Sequence, residues 1–122
     1  MLNVIEKELN IISKDTSLEG KLYFDQITRI HGTLKGEIIG NPGSTLIICE
    51  NGTIEGKVKA EKLIVNGFIE GEIEASKKII VSQTGKIIGK LKTPSLRLDY
   101  GSFFEGSCEM EKTVPNHLKI SE

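Results

Sequence analysis

Along the middle of the chain, apolar or small residues alternate with polar ones. In Val65-Asn66-Gly67-Phe68-Ile69-Glu70-Gly71-Glu72-Ile73-Glu74-Ala75 every second residue is Val, Gly, Ile or Ala, and the residues between them are Asn, Phe and Glu. A period of two is that of a β-strand with one buried face. A glycine-bounded pentapeptide is superimposed on it: Gly32-Thr33-Leu34-Lys35-Gly36, Gly52-Thr53-Ile54-Glu55-Gly56, Gly67-Phe68-Ile69-Glu70-Gly71 and Gly85-Lys86-Ile87-Ile88-Gly89. A degenerate copy, Ser102-Phe103-Phe104-Glu105-Gly106, follows. Self-similarity at this spacing is the signature of a solenoid, in which each repeat buries its apolar face only against its neighbours.

One frame registers every copy. Leu18, Leu34, Ile54, Ile69, Ile87 and Phe104 form a first inward column, at spacings of 16, 20, 15, 18 and 17 residues. The next inward columns are Gly20, Gly36, Gly56, Gly71, Gly89, Gly106, and then Leu22, Ile38, Val58, Ile73, Leu91, Cys108. Phe24, Gly40, Ala60, Ala75, Thr93 and Met110 follow. A further face carries Thr28, Leu46, Leu63, Ile79, Leu96 and, two residues on, Ile30, Ile48, Val65, Val81, Leu98. The variable spacing is assigned to turn insertions of even length, which preserve alternation, and to the turn-rich string Asn41-Pro42-Gly43-Ser44-Thr45. These columns predict an all-β fold, a three-sided parallel β-helix of about six coils. Its glycines sit near corners, where a narrow tube bends. Residues 15–110 form the coiled body, residues 1–14 a short lead and residues 111–122 a polar tail.

The outward positions support the same register. Glu37, Lys57, Glu72, Lys90 and Lys59, Glu74, Lys92, Glu109 are columns whose charge alternates from coil to coil. Opposite charges on neighbouring strands help a little where like charges would repel. A third outward column, Lys35, Glu55, Glu70, Ile88, Glu105, is less regular. A fourth breaks the polar rule: Arg29, Ile47, Ile64, Ile80, Arg97. Ile47, Ile64 and Ile80 make an apolar stripe, read either as a lateral or partner contact or as a surface covered by one of the terminal segments.

A solenoid ends in strands with unpaired backbone groups, which are templates for another strand unless capped. The expected polymerisation ends are Leu18, Leu22 and Phe24 on one side and Phe103, Phe104, Cys108 and Met110 on the other. The lead, Met1-Leu2-Asn3-Val4-Ile5, offers Leu2, Val4 and Ile5 for contact with a membrane surface, although Glu6 and Glu8 oppose attraction to anionic lipid. Docking on the rod and disorder are the competing readings.

Composition narrows the function. The chain has 122 residues, 38% hydrophobic and 27% charged, with a formal net charge of -1 and its signs interspersed. That excludes a basic nucleic-acid surface. No apolar run has the length of a membrane helix and no secretory signal is visible, so a cytoplasmic place is expected. No Walker loop or dinucleotide fingerprint is present. His31 and His117 are far apart in sequence. Cys49 is expected outward and Cys108 inward, neither with a neighbouring ligand in sequence, so no metal site, cofactor or activated thiol is expected. Two rival readings stand beside a filament subunit. One is a non-polymerising β-solenoid binding module. The other is a hexapeptide-repeat acyltransferase, whose constant six-residue sides are missing here.

Several strings in order, Ser17-Leu18-Glu19-Gly20, Ile30-His31-Gly32-Thr33-Leu34-Lys35-Gly36, Lys62-Leu63-Ile64-Val65-Asn66-Gly67, Thr93-Pro94 through Leu98, and Gly101 through Met110, resemble the bactofilins, a family of bacterial polymer-forming cytoskeletal proteins. The resemblance covers roughly residues 15–110. It implies a right-handed, three-sided β-helix assembling end-to-end into nonpolar, nucleotide-independent filaments, with no enzymatic activity. It also implies roles in cell shape and local cell-wall synthesis. The partners would be the protein itself, cell-wall-processing enzymes or inner-membrane proteins, with weak association at the inner face of the cytoplasmic membrane.

Overall fold

The computed structural model describes residues 9–110 of the chain. They form ten strands: β1 (Leu9–Ile12), β2 (Ser17–Phe24), β3 (Ile27–Ile30), β4 (Thr33–Gly40), β5 (Thr45–Ile48), β6 (Thr53–Val65), β7 (Phe68–Val81), β8 (Lys86–Lys92), β9 (Leu96–Leu98) and β10 (Phe103–Glu109). Every pairing is parallel, and each strand lies on the one a coil earlier. Two ladders result. One runs β2-β4-β6-β7-β8-β10 and the other β1-β3-β5-β6-β7-β9, with the long strands β6 and β7 passing through both.

The columns read from the sequence are the observed register. Gly20, Gly36, Gly56, Gly71, Gly89 and Gly106 lie one above another, as do Leu22, Ile38, Val58, Ile73, Leu91 and Cys108. The expected six coils need correction. Each ladder has six rungs, and the solenoid between the first and last of them makes about five turns. Counting residues in a column counts rungs, whereas turns are the intervals between them. At about 4.8 Å per step, those five intervals span roughly 24 Å.

Three corners bend each coil. The glycine column is the first: φ is +142° at Gly71 and lies between +123° and +141° at its other members. The second corner separates Ala60 from Lys62 but Ala75 from Lys78, so β7 carries one extra residue there. The even insertions read from the sequence belong to the third corner, and this odd residue is separate from them. The one-residue difference is absorbed as a bulge at the bend, where no side chain has to face the core. In the first coil this corner is made by Gln26, which adopts φ +58°. The third corner is a tight step in some coils and a four-residue turn in others. In the turns, the Thr16, Gly52, Gly85 and Ser102 amides donate to the Ser13, Cys49, Ser82 and Asp99 carbonyls at 2.7–3.0 Å.

Inside, the ladders of Leu, Ile and Val are sealed from solvent. Ile54, Val58, Leu63 and Val65 fill one coil, and Ile69, Ile73, Ile79 and Val81 fill the next. Burying each such side chain is worth about 1.5–3 kcal/mol. Among the described residues Thr28, Ser44 and Thr93 are buried polar side chains, and no buried polar side-chain atom lacks a partner. Thr93 donates to the Ser95 carbonyl, and Ser44 accepts from the Glu61 amide. The ring of Phe24 fills the volume that a side chain at Gly40 would need, so one large residue serves two rungs.

Candidate assembly surfaces

The strands at the two ends pair on one side only. Among the described residues, β1 and β2 have partners above them and none below, and β9 and β10 have partners below and none above. The side chains follow the same division. The exposed large hydrophobics are Leu18, Tyr23, Ile27, Leu98, Tyr100, Phe103 and Met110, and none lies between Ile30 and Arg97. The most exposed large hydrophobics therefore lie at the first and last rungs and their immediate neighbours, while those of the mid-body surface are at most half-exposed. Leu18 is an inward residue left open at the first rung, whereas Tyr23, Ile27 and Phe103 are outward residues exposed on the flanks beside the ends, Ile27 with a strand on each side.

The residues expected at the ends are placed unequally. Leu18 is exposed on the first rung, Leu22 is partly covered, and Phe24 is buried at 4% exposure, supporting the end from inside. On the last rung Phe103 and Met110 are 45% and 48% exposed, while Phe104 and Cys108 are half-buried over Ile87 and Leu91. Tyr100, at 98% exposure, stands beside this end and is absent from the sequence-based set. It sits in an out-of-frame turn, which period-two reading does not classify. Leu2, Val4 and Ile5 lie outside the described residues.

The end also contains a chemical probe. Burial raises the Cys108 thiol above its ordinary pKa, and Cys49 is raised for the same reason, partly offset by the Arg29 charge. Both thiols thus stay protonated through neutral pH, and alkylation should accelerate only above the usual thiol range. Stacking a further coil on β10 should cover Cys108 and leave Cys49 unchanged. Assembly should therefore slow iodoacetamide labelling of Cys108 severalfold, read by mass spectrometry. Equal slowing of both thiols would count against an end contact at β10.

Two lateral surfaces run the length of the body. Ile47, Ile64 and Ile80 are aligned with Arg29 below and Arg97 above, as the sequence columns predict, and all three isoleucines are half-buried. On another face lie the charge columns, of which Lys21–Glu37 closes to 3.3 Å. One further association emerges only in the structure: the Cys49 Sγ lies 3.5 Å from His31 Nε2. The two residues are one coil apart, at 18 positions, so the spacing of the columns is the signal that brings them together. They are a pair, and the described residues hold no cluster of three metal-ligating side chains.

This geometry defines a class, a parallel β-solenoid whose described ends are unpaired and apolar. The family model for bactofilins, described as polymer-forming cytoskeletal, matches residues 10–109, and the chain belongs to that family. Bactofilin BacP of Myxococcus xanthus (strain DK1622) is 24% identical over 108 residues, covering 88% of this chain and 44% of the relative. The chain thus spans less than half the length of that curated relative. Among solved structures, the cryo-EM reconstruction of Thermus thermophilus bactofilin double helical filaments superposes with a TM-score of 0.70 at 23% identity, covering 81% of this chain and 98% of the other. That similarity shows a shared fold.

Proposed function

We propose that this chain is a structural cytoskeletal subunit that stacks end to end into filaments without nucleotide, and that these filaments scaffold partners acting on cell shape or the cell wall. The observation that carries the reading is that the most exposed large hydrophobics lie at and beside the two ends of the solenoid. A non-polymerising module would be expected to show polar terminal rungs, as soluble solenoids do. The double helical filaments of the Thermus thermophilus relative support the same reading. The reading assigns the chain no catalytic role, which the cytoskeletal character of its family supports. The Ile47, Ile64 and Ile80 stripe is assigned to cell-wall-processing or inner-membrane partners. Leu2, Val4 and Ile5 are assigned to contact with the inner face of the cytoplasmic membrane.

Electron microscopy of the untagged chain at several concentrations, with neither ATP nor GTP, should show filaments. Monomers or discrete trimers at every concentration would overturn the proposal, and would be the result expected if the terminal segments close the ends.

A further inference from the structure

The two charge columns are more ordered than stacking requires. They occupy the same face and belong to the same rungs, and together they make bands. From the first rung upward these are Lys21, then Glu37, then Lys57 with Lys59, Glu72 with Glu74, Lys90 with Lys92, and finally Glu109. The sign reverses at every step. In the three rungs where both columns are charged, however, they carry the same sign. If vertical pairing inside one chain were the only demand, a checkerboard would serve better, because each charge would then have opposite neighbours along and across the face. Banding gives up the second set.

Lys57, Lys59, Glu72, Glu74 and Lys90 are exposed, and among the described residues they close no ion pair. They line an open groove of about 600 Å³ that runs across β6, β7, β8 and β10. Bands that reverse every rung repeat every two rungs, about 9.6 Å at strand spacing. A partner matching that repeat over the whole face must carry the same rung spacing, and the same face of a second copy does so.

Symmetry then selects an arrangement. With a two-fold axis along the rod, like rungs meet and every band repels. With a two-fold axis parallel to the strands and placed between the third and fourth rungs, the rods are antiparallel. Lys57 and Lys59 then meet Glu72 and Glu74 of the second copy, and the reverse contact forms by symmetry. Lys90 meets Glu37, while at the outermost rungs Glu109 faces Tyr23 and Lys21 faces Ser107, so each of these charges lies two positions along the strand from its opposite. Across the four inner rungs the Lys57 column meets opposite signs throughout, and the outer rungs add no repulsion.

We propose that this banded face is a self-complementary lateral interface, joining a second copy of this chain in antiparallel orientation about an axis between the Lys57 and Glu72 rungs. Each exposed pair is weak alone, and the contact is repeated along any assembly, so avidity sets its strength. The interface does not depend on end-to-end growth, because one subunit already presents every band.

The test uses the full chain with two charge-reversal variants. One is Lys57→Glu/Lys59→Glu and the other is Glu72→Lys/Glu74→Lys. Far-UV circular dichroism monitors folding, and electron microscopy reads filament elongation and filament pairing separately. Each variant alone sets like bands against each other at the centre and should lose lateral pairing. An equimolar mixture restores opposite bands at both central contacts and should recover it. In the wild type, zero-length carbodiimide coupling should join Lys90 of one copy to Glu37 of another. Those residues are three rungs apart within a chain, about 14 Å, so an internal link cannot form. Pairing should also weaken as salt is raised from about 0.05 to about 0.5 M, where screening shortens to a few ångströms. Persistent pairing in either variant alone, a mixture that stays unpaired, or absence of the Lys90–Glu37 link would overturn the proposal. If a variant does not fold, the wild-type link and the salt series decide.

Discussion

Gly71→Ala should unfold or nearly unfold the body. A Cβ built on Gly71 overlaps the Gly56 carbonyl oxygen directly beneath it, and the obstacle is backbone rather than a side chain that could turn away. The residue also holds φ +142°, a conformation that costs a residue with a side chain about 1–3 kcal/mol before any overlap is counted. Both penalties fall in the middle of the ladder, where β6 and β7 pair over most of their length. A total of at least about 4 kcal/mol is expected, which places the substitution among the exceptional destabilisers. For a body near 100 residues this corresponds to a midpoint lowered by roughly 16 °C or more. Thermal denaturation followed by circular dichroism measures it, with the exposed neighbour Glu70→Ala as the control expected to move little. A loss of under about 3 °C would mean that the rungs can separate to admit a methyl group.

Register is legible in the sequence because two independent patterns agree. Inward Ile and Gly columns and outward charge columns point to one alignment, and a slip of one residue would turn every Ile outward. What escapes lies where that redundancy lapses. Strand β1 has four residues, too few for alternation to distinguish it from a tail. The sequence columns place it in the lead, although β1 pairs with β3 from Leu9 to Ile12. Its faint signal is Ile12, 18 residues before Ile30, followed by the turn Ser13-Lys14-Asp15-Thr16. The odd residue between Ala75 and Ile79 is implicit in the columns, but its place as a bulge is not, because a corner imposes no inward or outward choice. The His31–Cys49 contact escapes because both residues follow the last inward position of their coil, where alternation stops being informative. Of the candidate surfaces, the apolar stripe and the charge columns are visible as patterns in the sequence. How far each side chain is covered is not, since Phe24 fills the space left open at Gly40, one rung above.

Gly20→Ala separates folding from assembly within the same glycine column. Gly20 holds φ +123°, so an alanine there carries the backbone strain of the column. Unlike Gly71, it has no atom within 4 Å of the position its Cβ would take, because no described rung lies beneath it. The isolated subunit should therefore fold, with a cost confined to about 1–3 kcal/mol of strain. Growth is a different matter. If a second subunit continues the ladder below β2, a carbonyl takes the place before Gly20 that the Gly56 carbonyl takes before Gly71. The methyl group then meets backbone, and the Gly106 carbonyl at the other end is the group such a junction would bring there. A junction penalty of about 3 kcal/mol raises the concentration needed for assembly on the order of a hundredfold. Sedimentation of filaments against concentration, beside a melting curve of the same sample, reads both quantities. Filaments forming at the wild-type concentration, from a subunit that melts only slightly lower, would show that the junction does not place backbone over Gly20, and that the ends meet by some geometry other than one more rung.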